Sequence, residues 1–274
     1  MSDNHKQSRR AFFRDAAALG ATAALGAAAL SSVPAAHAQE DKKTYVLVHG
    51  GWRGGWAWRP LVDILEAKGH KVYAPSLTGL GDRSHLLNKD IRLKTHVMDI
   101  VNIVKYERLE NIVLVGHSAA GFVITEVANE IPDKIETIVY LDAFLPNAGE
   151  SANNTASERA QASQNEAKAK GEISMPAFPA KAFGGKEENW EWIDSLSVPH
   201  PLMTLMDPVS STEGRDSIGN RIYIRSTGFN LPAFNKAYEQ TKDDPAWKSF
   251  IMECGHDISI DCPDELADIL FANV

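Results

Sequence analysis

Apolar positions along this chain follow two different spacings. Continuous apolar runs of strand length stand at Lys43 to Val48, Lys71 to Ala74, Asn111 to Gly116, Lys134 to Leu141, Arg221 to Arg225 and Lys248 to Glu253. Such runs, without an alternating polar face, mark strands covered on both sides of a parallel sheet. Between them the spacing turns helical. A helix is expected over Trp58 to Lys68, and another over Ile91 to Tyr106, where Ile91, Val97, Ile100, Val101 and Val104 recur at helical intervals. A third follows Gly116 and is stopped by Pro132, a fourth covers Pro232 to Gln240, and a last one starts at Pro263, with Asp264 and Glu265 suiting its positive end. Strands and helices in alternation with short links predict an α/β fold with a doubly wound, mostly parallel sheet. Ligands of such sheets bind beyond the carboxyl ends of the strands, where Gly51, Ser118 and Asp142 fall.

The rhythm breaks from Pro146 to about Asp216. A polar, helix-prone stretch (151–171) is followed there by prolines interleaved with Phe178, Phe183, Trp190 and Trp192. An inserted helical cap over a site, at about 147–216, has this composition. Most of its aromatic residues serve the cap's own packing, and Trp192 is the one expected to face substrate, together with Trp52 and Phe144. Gly79 and Gly81 are only a fragment of a dinucleotide fingerprint, with no helix immediately behind them, and read as a loop.

With 274 residues, 44% of them hydrophobic and 23% charged, the chain is long enough for one large domain with a full core. Its first residues read differently. Ser8-Arg9-Arg10-Ala11-Phe12-Phe13-Arg14 precedes an alanine-rich run, and Ala36-His37-Ala38 closes it, the pattern of a twin-arginine export signal cleaved near Ala38. A periplasmic or secreted protein is expected, with residues 39–274 as its mature domain. Loss of Lys6, Arg9, Arg10 and Arg14 against Asp3 and Asp15 takes the net charge from −8 to −10. That disfavours nucleic acid and anionic membranes as partners and leaves a small molecule, with a homodimer allowed. The 9 histidines show no paired ligand spacing, so neither a metal nor another cofactor is expected. Cys254 and Cys262 flank His256. An oxidising compartment would permit a bridge, whereas folding in a reducing cytosol before export favours free thiols.

The chemistry centres on Gly116-His117-Ser118-Ala119-Ala120-Gly121, which joins a strand to a helix. A serine on so tight a turn needs small residues two places before and after it, and Gly116 and Ala120 supply them, although the strict pattern has glycine at both. Acyl transfer by serine needs a nucleophile, an imidazole base, a carboxylate and N–H donors for an oxyanion. Ser118 is the candidate nucleophile. The N–H groups of Ala119, at the start of a helix, and Gly51, in the loop after the first strand, are the candidate oxyanion donors. His256, between the last strand and the last helix, is the candidate base. His49 and His117 sit at strand ends and are expected to support the oxyanion loop and the elbow.

Val48-His-Gly-Gly-Trp52, Gly116-His-Ser118 and Gly255-His256 together resemble the α/β-hydrolase superfamily, most of all the esterases allied to plant methylesterases and hydroxynitrile lyases. The resemblance spans the whole mature length. It implies a cofactor-free carboxylesterase, while the aromatic cap and Phe144, rather than the family motifs, suggest a small to medium apolar or aromatic ester or a lactone as substrate. It also places the acid after the strand that follows the cap, but Arg221-Ile-Tyr-Ile-Arg225 leads into Ser226-Thr-Gly-Phe-Asn230, without a carboxylate. One strand earlier, Ile138-Val-Tyr-Leu-Asp142 ends in an aspartate, whose charge in so apolar a setting needs a partner. Asp142 is the candidate acid; Asp207, Asp216 and Asp257 are its rivals. The lyases of the group lead one to expect a lysine after the histidine and a threonine in the first loop, where this chain has Asp257 and Gly51. The non-enzymatic alternative is a hydrolase-fold protein that holds a ligand without turnover.

Overall fold

The computed structural model describes residues 42–274, so the expected export signal (1–38) lies outside the described residues. Six strands form the central sheet: β1 (Thr44–Val48), β2 (Lys71–Tyr73), β3 (Ile112–His117), β4 (Ile135–Leu141), β7 (Asn220–Ser226) and β8 (Lys248–Met252). Their order is β2-β1-β3-β4-β7-β8, and every pairing is parallel. Both faces are covered, which is why the strands lack a polar face. Tyr45 and Leu47, with Val113, Val115, Val139 and Leu141, pack against α1 (Arg59–Ala67) and α10 (Pro263–Asn273) through Leu61, Leu65, Leu266 and Leu270. The alternate side chains Val46, Val48, Leu114, Ile138 and Tyr140 pack against α2 (Leu93–Tyr106) and α3 (Ala120–Glu130) through Val97, Ile100, Ile124 and Val127. Each such buried aliphatic side chain contributes about 1.5–3 kcal/mol. Among the described residues no helix is long and apolar enough to cross a membrane.

Between β4 and β7 the chain leaves the sheet and runs through α4 (Glu158–Ala169), β5 (Ser174–Met175), α5 (Glu187–Leu196), β6 (His200–Pro201), α6 (Leu202–Met206) and α7 (Glu213–Ser217). The polar α4 buries none of its residues, as its composition requires. The antiparallel β5–β6 pair was not expected; two residues per strand carry no readable period. After β7 come α8 (Pro232–Thr241), β8, the one-turn α9 (Ile258–Asp261) and α10.

The thiols require a correction: Cys254 and Cys262 form a disulfide, not a free pair. The chain folds α9 into the loop after β8, and this turn brings the two α-carbons to 6.5 Å, within bridging range. The loop thus closed contains His256.

Candidate active site

Only two residues, Ser118 and Ala119, separate the end of β3 from the start of α3, so Ser118 takes most of the change of direction. It does so at φ 57°, in the left-handed region that a side chain normally avoids. The backbone is held there from both sides. Ser118 N–H donates to the Leu141 carbonyl at 3.2 Å, and the Ser118 carbonyl accepts from Phe144 N–H at 3.2 Å and Gly121 N–H at 3.1 Å. Small residues are required at two places. A Cβ on Gly116 would come within 2.7 Å of the Ile124 side chain, and one on Gly121 would lie 1.9 Å from the Phe144 carbonyl oxygen. The tight contact on the helix side therefore falls at Gly121 rather than at Ala120, and the alanine is tolerated.

Asp142 directly follows β4, likewise in the left-handed region with φ 41°, and its side chain is fully buried. Its Oδ2 lies 2.7 Å from Nδ1 of His256. The other oxygen, Oδ1, accepts from the Ser226 N–H at 3.1 Å and from Nη1 of Arg225 at 2.5 Å. Facing a carboxylate, Nδ1 of His256 carries the ring proton and Nε2 is left with its lone pair. The His256 carbonyl accepts from Nε2 of His117 at 2.8 Å, and Ser226 Oγ, at the end of β7, donates to the Cys254 and Gly255 carbonyls. Phe183, Phe229 and Phe234 surround the imidazole at centroid distances of 5.5, 4.6 and 5.5 Å. Among the described residues Ser118 Oγ makes no hydrogen bond to this ring; in unliganded enzymes that contact often tightens only with substrate.

Gly51 and Ala119 face each other across the elbow, where a Cβ on Gly51 would stand 3.9 Å from the Ala119 Cβ. Among the described residues no protein acceptor takes either N–H. His49 fixes the loop they share: its Nδ1–H donates to the Gly50 carbonyl at 2.9 Å and its Nε2 accepts the Leu77 N–H at 3.0 Å. Burial pushes the His49 imidazole down to about 4 against the pull of that carbonyl. His117 is pushed down to about 3 by burial and by the charge His256 can carry. Both are neutral supports, though His117 braces the His256 loop rather than the elbow alone. Beside Ala119 lies a cavity of about 20 Å³, lined in part by His49, Gly50, Phe122 and His200.

The sequence matches the alpha/beta hydrolase family over residues 45–269. The chain is an alpha/beta hydrolase. It is 34% identical over 238 residues to a carbendazim hydrolyzing esterase of Nocardioides sp. (strain SG-4G), covering 83% of this chain and 98% of that protein. Salicylic acid-binding protein 2 of Nicotiana tabacum shares 34% identity over 110 residues, 40% of this chain and 42% of the relative. An extracellular alpha/beta-hydrolase from a Paenibacillus species has the same fold, with a TM-score of 0.73 at 21% identity over 84% of this chain and 98% of its own. The Arabidopsis methylesterase MES16 superposes with a TM-score of 0.67 at 21% identity, over the same 84% of this chain and 98% of its own.

The remaining residues singled out from the sequence of this hydrolase separate into near and far. Trp52, at φ 64° beside Gly51, packs edge-on against Phe178 at 5.0 Å and lies 6.0 Å from both Phe183 and His200. Phe144 reaches the elbow through its backbone and packs its ring between Phe122 and Phe234. Trp192, on α5, packs edge-on against Trp56 in the turn after β1 at 5.2 Å and is 39% exposed; among the described residues it makes no ring contact with His256. The rival carboxylates are engaged elsewhere. Asp207 pairs with Arg92, and Asp216 with Arg215. Asp257 forms a two-pronged bond with Arg53, at 3.1 and 2.9 Å, both residues being buried. Burial alone would raise the Asp257 carboxyl, but the Arg53 guanidinium outweighs it and holds the group below its ordinary value. Arg53 also donates to Ser197 Oγ at 2.7 Å, tying the loop after β1 to the His256 loop and to the end of α5. Sequence reasoning missed Arg53 and Arg225. The only available signal was a cation beside an apolar strand end, which is too common to act on.

Proposed function

We propose that this alpha/beta hydrolase is a serine carboxylic-ester hydrolase that works through an acyl-enzyme. The observation that carries the reading is the 2.7 Å contact between His256 Nδ1 and the buried Asp142, beside a serine held at φ 57°. Ser118 Oγ attacks the ester carbonyl while His256 Nε2 takes its proton. The carbonyl oxygen becomes an oxyanion and is held by the N–H groups of Gly51 and Ala119. As the tetrahedral intermediate collapses, His256 returns the proton to the leaving alkoxide, and the alcohol departs. Water then attacks the acyl-enzyme, giving up a proton to His256, and as the bond to Ser118 breaks His256 passes that proton to Ser118 Oγ, releasing the carboxylic acid and restoring the free serine. Asp142 keeps the ring in the productive tautomer and offsets the imidazolium charge; it stays ionised throughout.

Phe183 against His256, with Trp52 and Phe178 packed on Phe183, favours small to medium apolar or aromatic esters. Asp257, locked to Arg53, takes the place where the related lyases are expected to carry lysine, which disfavours cyanohydrin cleavage. The twin-arginine pattern at Ser8 to Arg14 supports export to the periplasm or beyond; an Arg9→Lys/Arg10→Lys variant retained in the cytoplasm would bear this out, and one exported normally would contradict it. Hydrolysis of p-nitrophenyl acetate and butyrate tests the reaction. Ser118→Ala and Asp142→Asn should each lose on the order of 10⁴-fold in turnover, while Thr227→Ala stays near the parent. Full activity in Asp142→Asn would remove the acid assignment.

A further inference from the structure

The strand that carries the acid in the commonest arrangement of this family is β7, and here it ends in Arg225 and Ser226. What those two residues do instead is to grip the carboxylate supplied by β4. Every donor of the buried Arg225 guanidinium is used. Nη1 donates to Asp142 Oδ1 and to the Ser226 carbonyl, Nη2 to the Phe229 carbonyl at 2.6 Å and Asn235 Oδ1 at 2.8 Å, and Nε to the same Asn235 oxygen at 3.1 Å. With the Ser226 N–H also on Oδ1, one oxygen of Asp142 is fully occupied and the other is turned to His256.

Resting on the triad reading above, we propose that Arg225 is the positioning residue that makes an acid on β4 usable and that sets the pH at which His256 becomes a base. The second half follows from charge. A lone buried carboxylate favours an imidazolium more strongly than one already paired with a guanidinium, so removal of Arg225 is expected to move the acid limb of the pH profile upward. Among the described residues no other group facing the ring supplies this balance. His117 from β3 is neutral, Asp257 on the same loop is neutralised by Arg53 from the loop after β1, and Tyr223 on β7 is an uncharged phenol bonded to the Ala143 carbonyl. Phe183 from the cap, and Phe229 and Phe234 from the segment after β7, carry no charge.

The test compares Arg225→Met and Arg225→Lys with the parent, using kcat and KM for p-nitrophenyl butyrate across pH and the downfield proton resonance of His256 Nδ1–H, which reads the ring without turnover. In Arg225→Met the acid limb of kcat/KM and the midpoint of the resonance should both rise by about one to two pH units. Arg225→Lys keeps the charge but not the fork. Its limb should stay at the parental pH, while kcat falls about tenfold with KM nearly unchanged. A folded Arg225→Met with parental limb and resonance overturns the proposal. Should that variant fail to fold, Arg225→Lys decides: parental kcat refutes the positioning role. Asp142→Asn in the same assay separates the two claims. If it keeps full activity, the triad reading itself is wrong; if it collapses while both Arg225 variants match the parent, only the role of Arg225 is lost.

Discussion

Lowering the pH from about 7.5 to about 5 should destabilise this protein steeply, because its buried histidines are held neutral. His49 and His117 titrate at about 4 and about 3 in the folded chain, against 6.5 for the ordinary imidazole. Their contribution is therefore complete above the ordinary value and is lost as pH falls towards the folded values, because the unfolded chain takes up the protons first. At pH 5 each of the two has lost about 2 kcal/mol, about 4 kcal/mol together. His96 and His200, both lowered by burial, add to this in the same direction. Asp261, raised mainly by burial, works in the opposite sense but is a single group against four histidines. Against a total stability of about 5–15 kcal/mol the loss is large. Urea unfolding at the two pH values, with the disulfide intact, measures it. His117→Phe provides the control. It should lower stability at both pH values by about 1–3 kcal/mol, since the His256 carbonyl loses its donor, yet it should narrow the difference between them by about 2 kcal/mol. A parental difference below about 1 kcal/mol, or one that His117→Phe leaves unchanged, would refute the reasoning.

Arg53→Leu strands a buried Asp257 and should cost about 3–5 kcal/mol, much of which a second Asp257→Leu change restores; equal losses in the single and double variants, by urea unfolding, would contradict a tight pair. Gly121→Ala drives a methyl into the Phe144 carbonyl and should destabilise by about 1–3 kcal/mol or more while reducing turnover, because Phe144 also anchors the Ser118 backbone. A thermal melt and a rate at parental values would mean that the elbow has slack. The Cys254→Ala/Cys262→Ala variant reopens a short loop and should lose about 2–3 kcal/mol in denaturant unfolding, with activity falling as the His256 loop loosens; unchanged turnover would separate the bridge from the site.

The legible parts of this protein were those written in a period or in a turn. Unbroken runs such as Lys43 to Val48 and Lys134 to Leu141 give the parallel sheet directly, because strands covered on both faces have no polar side to hide. The elbow was readable because its tight turn demands small residues around Ser118. Asp142 stood out because a charge closing an apolar strand has to be paired. What stayed hidden depends on contacts between distant positions. Arg225 and Asp142 are 83 residues apart, Arg53 and Asp257 are 204 apart, and no local pattern records either pairing. Cys254 and Cys262 are near in sequence, but their bridge depends on the one-turn α9, too short to predict. The packing of Trp192 on Trp56 was hidden for a related reason: a helix between β4 and β7 shows which residues are aromatic, not which neighbours its sides will meet.

The central claim is that an acyl group passes through Ser118. Mixing the protein with a slowly deacylating p-nitrophenyl ester, quenching in acid within milliseconds to seconds and weighing the intact chain tests it most directly. The account predicts a burst of p-nitrophenol matched by a mass increase of one acyl group, mapped by peptide sequencing to Ser118 and absent in Ser118→Ala. Turnover without a covalent adduct, or an adduct at any other residue, would contradict it.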